Sequence, residues 1–506
     1  MDQRGFYQPD GAWVGDVIPW QEDGVFHLFY LHETRRVPAD GMPWHRVVTD
    51  DLVTFRSTGE ALPSGGPTAA DFNVYTGSIV VDAEGTHHAF YTGQNPAVVG
   101  ADGRALQLVM HATSHDGMRS WQGHPAETFG ASPGYETGDW RDPFVFWDAE
   151  AGLWRMLVTA RHDHGPDRRR GVVAQCVSRD LSTWEPAEPF WDPRRYVALE
   201  CPEVFRWGGW WYLVYSEFSD AFTTRYRMAR SLDGPWVVPE HDTLDGRAFY
   251  AAKSAERDGR RLFFGWIASR EGGADDGAWQ WAGTMSVLEA EQRADGTLAF
   301  HPTQELRDTF ADPVDVVPAE TVLSAPDGCT SVVSSEDAPS AFRLSARFDL
   351  TEGTREAGLL LRASADGDEG YVLRLEPHRH RLVLDRWPRQ QTGTEQWHIS
   401  GDVPFVVELE RPCRLDPGEH DLEVIVDGDL CVATVDDATV LSTRLYDRPA
   451  GRVGAFVGEG TATLSHLTLA PRATPQPARP LDDAAPLDGD VLDGDVLDGD
   501  LLAATT

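Results

Sequence analysis

The sequence is poor in cysteine and contains no long apolar run. Its five cysteines, Cys176, Cys201, Cys329, Cys413 and Cys431, are odd in number and show no paired metal-binding spacing. They predict free thiols in a reducing compartment rather than a disulfide framework. No apolar run reaches the length of a membrane span, and the first residues lack the apolar segment of a secretory signal. We therefore expect a cytoplasmic protein.

Positive charge is also scarce, because 44 Lys and Arg residues stand against 81 Asp and Glu residues, for a net charge of −37. Such a surface repels nucleic acid and anionic lipid, so we expect neither nucleic acid nor a membrane as a partner. A neutral carbohydrate substrate fits this charge, and 18 Trp residues supply flat apolar faces for sugar rings. Solubility alone is the simpler explanation of the acidity.

An acidic residue at the start of an apolar strand recurs three times, at Asp16, Asp142 and Glu200. Each strand is followed by a turn and a second strand, which is the pattern of a β-hairpin. Units at 76–91 and 250–266 share the pattern without the carboxylate. The second strands start roughly 50–65 residues apart, a period typical of propeller blades. Five such units predict a five-bladed β-propeller over residues 1–305, with the strand starts around one central pocket.

The pattern changes to longer alternating strands at 318–470, with a strong hairpin turn at Asp427-Gly428. Seven or more such strands predict an antiparallel β-sandwich. We therefore expect an all-β chain in which a five-bladed β-propeller is followed by a C-terminal β-sandwich. Residues 471–506 combine a Pro-rich segment with three Leu-Asp-Gly-Asp copies, which predicts a disordered acidic low-complexity tail.

Metal-binding patterns are weak in this chain. His162 and His164 share a polar loop, but no third ligand is recognisable beside them. The Asp-Gly-Asp copies of the tail have neither EF-hand nor nonapeptide spacing. We therefore expect no metal and no other cofactor.

Three carboxylates around one pocket suit the cleavage of a glycosidic bond. One carboxylate attacks the anomeric carbon, a protonated second one releases the leaving oxygen, and a third holds sugar hydroxyls. Arg141 would keep the adjacent Asp142 ionised, whereas Glu200 must stay protonated near neutral pH, which burial favours. The alternative is that these acids only cap strands or neutralise arginines.

Several motifs resemble glycoside hydrolase family 32, the invertases, levanases and inulinases. They are Trp140-Arg141-Asp142-Pro143, Glu200-Cys201-Pro202, Tyr75-Thr76-Gly77-Ser78 and the segment 281–286. The resemblance implies a five-bladed propeller with a C-terminal β-sandwich. It also implies Asp142 as transition-state stabiliser, Glu200 as acid/base and Asp16 as nucleophile. We expect the substrate contacts to come from side chains near these motifs: Arg141, Trp44, Ser78, Tyr75, Tyr250, Lys253 and Trp281.

The motif around the nucleophile departs from the family pattern. The family has Trp-Met-Asn-Asp-Pro-Asn-Gly, whereas residues 13–19 of this chain read Trp-Val-Gly-Asp-Val-Ile-Pro. Gly15 thus replaces an Asn, and Leu31 stands where the family has a Gln. Both changes remove hydroxyl contacts beside the nucleophile. Asp10 is a competing nucleophile, but it lies too early relative to the strand.

The resemblance implies a retaining, exo-acting glycosidase that releases terminal β-D-fructofuranosyl residues from sucrose, fructo-oligosaccharides or fructans. Two alternatives stay open. One is a related furanosidase, such as an α-L-arabinofuranosidase, and the other is a sugar-binding propeller without catalytic activity. The intact set of three acids argues against the second alternative.

Overall fold

The computed structural model describes residues 3–389 and 408–473, which are built almost entirely of β-strands. These ranges contain one α-helix, Gln304–Arg307, and short 3₁₀ turns at Pro125–Glu127, Asp167–Arg169, Glu271–Gly273 and Pro377–Arg379. The predicted all-β class is therefore confirmed. No helix within the described ranges is long and apolar enough to cross a membrane. The tail predicted to be disordered lies, from residue 474 onward, outside the described residues.

The first part of the chain forms five antiparallel blades in sequence order, of which blades 1 and 5 are joined in one nine-stranded sheet. The strands of blades 1 and 2 are Trp13–Glu22, Val25–Glu33, Trp44–Thr49 and Thr54–Leu62, then Asn73–Val81, His87–Val99, Ala105–Ser114 and Gln122–Gly123. Those of blades 3 and 4 are Tyr135–Asp148, Leu153–His162, Gly171–Ser178 and Glu185–Trp191, then Glu200–Trp207, Trp210–Glu217 and Thr223–Ala229. Those of blade 5 are Phe249–Arg257, Arg260–Arg270, Trp279–Gln292 and Leu298–Pro302.

The N-terminal part of the chain extends blade 1 and joins it to blade 5. The short strand Gln3–Arg4 pairs with the outer strand of blade 1. A single pairing of Gly283 with Val14 then joins blade 5 to blade 1. The first and last blades are therefore neighbours, and the innermost strands of all five blades surround one axis.

The Asp-containing segments that follow the third strands are turns, as their composition predicts. In blade 3, Asp180 Oδ1 accepts hydrogen bonds from the backbone N–H groups of Ser182 and Thr183 at 3.0 and 2.8 Å. In blade 1, Asp51 Oδ1 accepts from the N–H of Val53 at 2.9 Å. Short acidic side chains favour such turns because they satisfy backbone donors locally.

A break in strand pairing at the same place in every innermost strand positions the site. The register shifts occur at Val14/Val17, Tyr75/Gly77, Arg141/Phe144, Glu200/Glu203 and Tyr250/Lys253. At three of them a non-glycine residue has a positive φ: 55° at Asp142, 49° at Cys201 and 53° at Ala251. A β-bulge redirects the side chains beside it. Repetition of the bulge therefore gives successive blades the same local geometry at the central axis.

The second part of the chain is a β-sandwich organised by one long strand, Arg452–Pro471. Its first half pairs with Glu356–Ala363 and its second half with Ala341–Leu350, so that it contributes to both layers. Apolar side chains from these strands form a common core. The remaining strands are Val314–Asp315, Thr321–Val333, Gly370–Glu376, Arg381–Trp387, Leu409–Pro412, Gly418–Asp427, Leu430–Val435 and Thr439–Arg444.

The sandwich packs directly against blade 5. Arg444, which is buried, donates hydrogen bonds to the backbone carbonyls of Ile267 at 3.1 Å and Ala268 at 2.9 Å, and to Thr284 Oγ1 at 2.6 Å. Apolar residues of both parts, such as Phe249 and Ile425, belong to one buried cluster. The sandwich therefore braces blade 5.

Candidate active site

A cavity of about 480 Å³ at the centre of the propeller contains all three carboxylates singled out from the sequence. It is lined by Asp16, Leu31, Glu33, Met42, Tyr75, Thr76, Gln107, Asp139, Arg141, Asp142, Glu200, Phe218 and Trp281. These residues come from blades 1 to 5, so the cavity exists only because the ring of blades is closed.

Asp16 lies at the break in the first strand and is held by two donors. Thr76 Oγ1 donates to Asp16 Oδ2 at 2.6 Å, and Trp266 Nε1 donates to Asp16 Oδ1 at 3.1 Å. Burial and the nearby negative charges of Asp142 and Glu200 raise the pKa of Asp16 to about 6, although the two donors oppose that rise. Above pH 6 the group is therefore mainly a carboxylate, as a nucleophile requires.

Asp142 is held rigidly at the bulge of blade 3. Its backbone N–H donates to Thr92 Oγ1 at 2.8 Å. Its Oδ2 accepts from Thr159 Oγ1 at 3.0 Å and from the backbone N–H of Cys201 at 3.0 Å. The Cys201 thiol points to Asp16 Oδ2 at 3.6 Å, so one residue touches two of the acids. This network leaves the side chain of Asp142 little rotational freedom.

Glu200 sits between a cation and a phenol. Arg141 Nη2 donates to its Oε1 at 2.9 Å, and the Tyr250 hydroxyl donates to its Oε2 at 2.6 Å. Burial raises the pKa of Glu200, Arg141 and Tyr250 oppose the rise, and the charge of Asp142 adds to it. The net raised pKa favours the protonated form that a general acid needs.

Arg141 connects the acids electrostatically. Burial opposes its charge, but Glu200, Asp142 and Asp139 together raise the pKa of the guanidinium, so it stays positive. Its Nη1 donates to Asp139 Oδ1 at 2.7 Å and to Gln107 Oε1 at 3.3 Å. This fixed cation beside Asp139, Asp142 and Glu200 offsets part of the negative charge that the three buried carboxyl groups bring together. Across residues 3–389 and 408–473, no group of three His, Cys, Asp or Glu side chains is arranged to hold a metal ion.

Two sequence models of one protein family match this chain. The model of the glycosyl hydrolases family 32 N-terminal domain matches residues 6–302, and that of the family's C-terminal domain matches residues 318–471. The chain belongs to glycosyl hydrolases family 32. The predicted family membership is thereby confirmed, and so is its consequence that the protein is a glycosidase.

Curated family 32 relatives span nearly the whole chain. The levanbiose-producing levanase of Bacillus subtilis is 22% identical over 501 residues, which is 92% of this chain and 89% of that protein. The sucrose-6-phosphate hydrolase of Escherichia coli is 25% identical over 482 residues, which is 91% of this chain and 93% of that protein.

Solved structures show the same architecture. Fructan 1-exohydrolase IIa from Cichorium intybus superposes with a TM-score of 0.72 at 18% identity, covering 93% of this chain and 97% of that one. Exo-inulinase from Aspergillus awamori superposes with a TM-score of 0.73 at 19% identity, covering 93% and 98%. At these identities the likeness establishes the fold, and the predicted propeller followed by a sandwich is confirmed.

The substrate-binding residues predicted from the sequence fall into two groups in this family 32 structure. Arg141, Tyr75 and Trp281 line the cavity, and Tyr250 reaches it through its hydrogen bond to Glu200. These four side chains remain predicted substrate contacts or supports of them.

The other three predicted contacts lie outside the lining of the cavity. Trp44 is fully buried and its Nε1 donates to the carbonyl of Tyr75 at 3.1 Å. Ser78 Oγ donates to the carbonyl of Pro143 at 2.9 Å, and Lys253 Nζ donates to the carbonyl of Gly77 at 2.7 Å. Each of these side chains thus binds a backbone carbonyl and supports the inner strands of the blades, and its predicted role as a substrate contact stays a prediction.

Sequence reasoning missed several residues of the site. Trp266 and Thr76 hold Asp16, and Asp139 holds Arg141. Asp139 had a detectable signal, because it lies two residues before Arg141 on the same face of a strand. Trp266 had no such signal, because an aromatic residue on the second strand of a blade is indistinguishable in sequence from an ordinary buried core residue.

Proposed function

We propose that this family 32 glycosidase is a retaining, exo-acting β-fructofuranosidase that releases terminal β-D-fructofuranosyl residues from sucrose, fructo-oligosaccharides or fructans. One observation carries the proposal: three carboxylates from three blades share one cavity, with distinct donors around each. The names of the relatives, a levanase, a sucrose-6-phosphate hydrolase and β-fructofuranosidases, support the fructosyl part.

The proposed reaction has two displacements. Glu200 gives its proton to the glycosidic oxygen while Asp16 attacks the anomeric carbon, so that the leaving sugar departs neutral and a fructosyl ester forms on Asp16. Glu200, now ionised, takes a proton from water, and the oxygen of that water attacks the same carbon and frees Asp16. Asp142 holds the ring hydroxyls as positive charge develops, because its carboxylate is fixed by Thr159 and the Cys201 N–H.

Arg141 and Tyr250 support the second step. Both donate to Glu200 and therefore favour its ionised form, which must accumulate after the proton has left. Burial favours the protonated form before that step. A balance of this kind lets one carboxyl group act first as acid and then as base.

The covalent step can be tested by interception with an alcohol. With methanol present, NMR should show a methyl β-fructofuranoside as the first transfer product from a β-linked substrate such as sucrose. A methyl α-product would mean direct attack on the substrate, and Asp16 would then be a base rather than a nucleophile. Turnover of sucrose but not of an aryl α-L-arabinofuranoside separates the proposal from the related furanosidases.

The roles of the three acids can be tested by substitution. Asp16→Ala, Asp142→Asn and Glu200→Ala should each lower turnover of sucrose by several orders of magnitude, because nucleophile and acid act as a unit. Glu200→Ala should lose far less activity on a nitrophenyl fructoside, whose leaving group needs little protonation. Near-wild-type activity of any variant on sucrose would disprove the role assigned to that residue.

A further inference from the structure

The residue before the proposed nucleophile has no side chain, and the structure shows what fills the space. A Cβ at Gly15 would lie 2.5 Å from the outer edge of the Trp281 indole and 2.9 Å from Cβ of Leu31. The backbone at Gly15 has no positive φ that would demand glycine. The backbone conformation at position 15 would accept any residue, but a larger side chain would clash with Trp281 and Leu31. Glycine is therefore required for steric reasons, since real Cβ atoms do not approach other atoms so closely.

Trp281 is held in that position through its backbone carbonyl and through contact of its indole with a buried ring. Its carbonyl accepts a hydrogen bond from Arg35 Nη2 at 2.7 Å, and the Arg35 guanidinium stacks 3.9 Å from the centre of the Trp13 ring. Its indole meets the buried Trp266 ring edge to face, with the ring centres 6.2 Å apart. Trp266 in turn donates to Asp16. The position of the indole is thus coupled to the ring that holds the proposed nucleophile.

The indole nevertheless stays open to the cavity. Trp281 is 38% exposed and lines the cavity together with Leu31 and Asp16. An exposed, rigidly mounted aromatic face in a cavity that takes a sugar offers the flat apolar surface on which a sugar ring stacks. Leu31 and Trp281 contribute apolar groups to this lining, whereas Glu33, Asp139, Arg141 and Gln107 contribute polar ones.

We propose that Gly15 and Trp281 form a coupled specificity-determining pair, in which the absence of a side chain at position 15 seats the indole as the wall on which the substrate stacks. The inference rests on the proposed function, since it deepens the account of the same cavity. In this account the substrate is positioned beside Asp16 because its sugar ring stacks on the indole of Trp281.

A double-mutant cycle tests the coupling, with Gly15→Ala, Trp281→Ala and the double variant assayed on sucrose. Gly15→Ala should lower kcat/KM about tenfold or more in the presence of Trp281, because the new methyl group displaces the indole. In the Trp281→Ala background the same substitution should cost less than about threefold. An equal cost in both backgrounds would overturn the proposal.

A separate measurement distinguishes stacking from a purely structural role. Trp281→Ala should raise KM for sucrose more than it lowers kcat, because stacking acts on the bound substrate before the chemical step as well as during it. Fructose should quench intrinsic tryptophan fluorescence of the wild type, and Trp281→Ala should lose most of that quenching. A lowered Tm with unchanged KM and unchanged quenching would refute the stacking role.

Matched controls exist elsewhere in the chain. Gly123, which has nothing within 4 Å of a built Cβ, serves for the glycine, and Gly123→Ala should leave kcat/KM unchanged. Trp147, which is 49% exposed and packs on Trp154, serves for the tryptophan, and Trp147→Ala should keep the fructose quenching. If the wild type hydrolyses no β-fructofuranoside, the proposed function fails. The proposal about the pair then stands or falls on the fructose quenching of the wild type, Gly15→Ala, Trp281→Ala and the double variant.

Discussion

Thr76→Val isolates the interaction that keeps Asp16 ionised. Thr76 is buried, and its hydroxyl donates to Asp16 Oδ2 at 2.6 Å. Valine has nearly the same shape as threonine but cannot donate, so the substitution removes the hydrogen bond with little change in packing. The bond favours the charged form of Asp16, and its loss must therefore raise the pKa of that group further.

The size of the effect follows from the charge on the acceptor. A hydrogen bond to an ionised group contributes about 1.5–3 kcal/mol, and each pH unit corresponds to ~1.4 kcal/mol. The pKa of Asp16, raised by burial to about 6, should therefore move to roughly 7–8 in Thr76→Val. Because Asp16 must be ionised to attack, activity is lost as the pH falls through this pKa.

The measurement is the pH dependence of kcat/KM for sucrose between pH 4.5 and 9, on the order of ten points. The acidic limb should shift from near pH 6 in the wild type to higher pH by one to two units in Thr76→Val, while the basic limb, which depends on Glu200, should stay in place. Thr434 is a matched control, since it is buried in the sandwich and its hydroxyl has no partner among the described residues. Thr434→Val should leave the limb in place. An unchanged acidic limb in Thr76→Val would show that Asp16 is not the group whose ionisation limits activity.

Three further predictions concern other parts of the molecule. Tyr250→Phe removes a hydrogen-bond donor to Glu200, so the pKa of Glu200 should rise further and the basic limb of kcat/KM should move to higher pH. A shift of that limb to lower pH would contradict the assignment of Glu200 as the acid. Leu344→Ala opens a cavity in the sandwich core and should lower the free energy of unfolding by about 2–5 kcal/mol in urea titrations, whereas a loss below about 1 kcal/mol would mean that the site collapses. Removal of residues 476–506 should leave activity and Tm nearly unchanged, because that segment is too polar and repetitive to bury a core; a marked drop in either would show that it docks.

Much of the architecture was predictable because it repeats. An apolar strand, a turn and a second strand recur five times, and such local signals survive in the sequence since strand alternation and turn chemistry act over a few residues. The same argument singled out the acidic residues of blades 1, 3 and 4, namely Asp16, Asp142 and Glu200. Only Glu200 begins its strand, whereas Asp16 lies within Trp13–Glu22 and Asp142 within Tyr135–Asp148. The sequence also showed that Gly15 and Leu31 stand where the family has an Asn and a Gln. It did not show which side chains fill the space of these two amides.

Only the tertiary structure decided which side chains meet. Trp44, Ser78 and Lys253 lie beside recognisable motifs, yet their polar atoms bind backbone carbonyls instead of lining the cavity. Thr76 and Trp266 come from different blades to hold Asp16. Such contacts depend on the closure of the ring and on bulges that turn individual side chains, and both are set by long-range packing. Local pattern therefore determined the strands and the order of the blades, whereas the partners of each charge, and hence its pKa, depended on contacts between residues far apart in the chain.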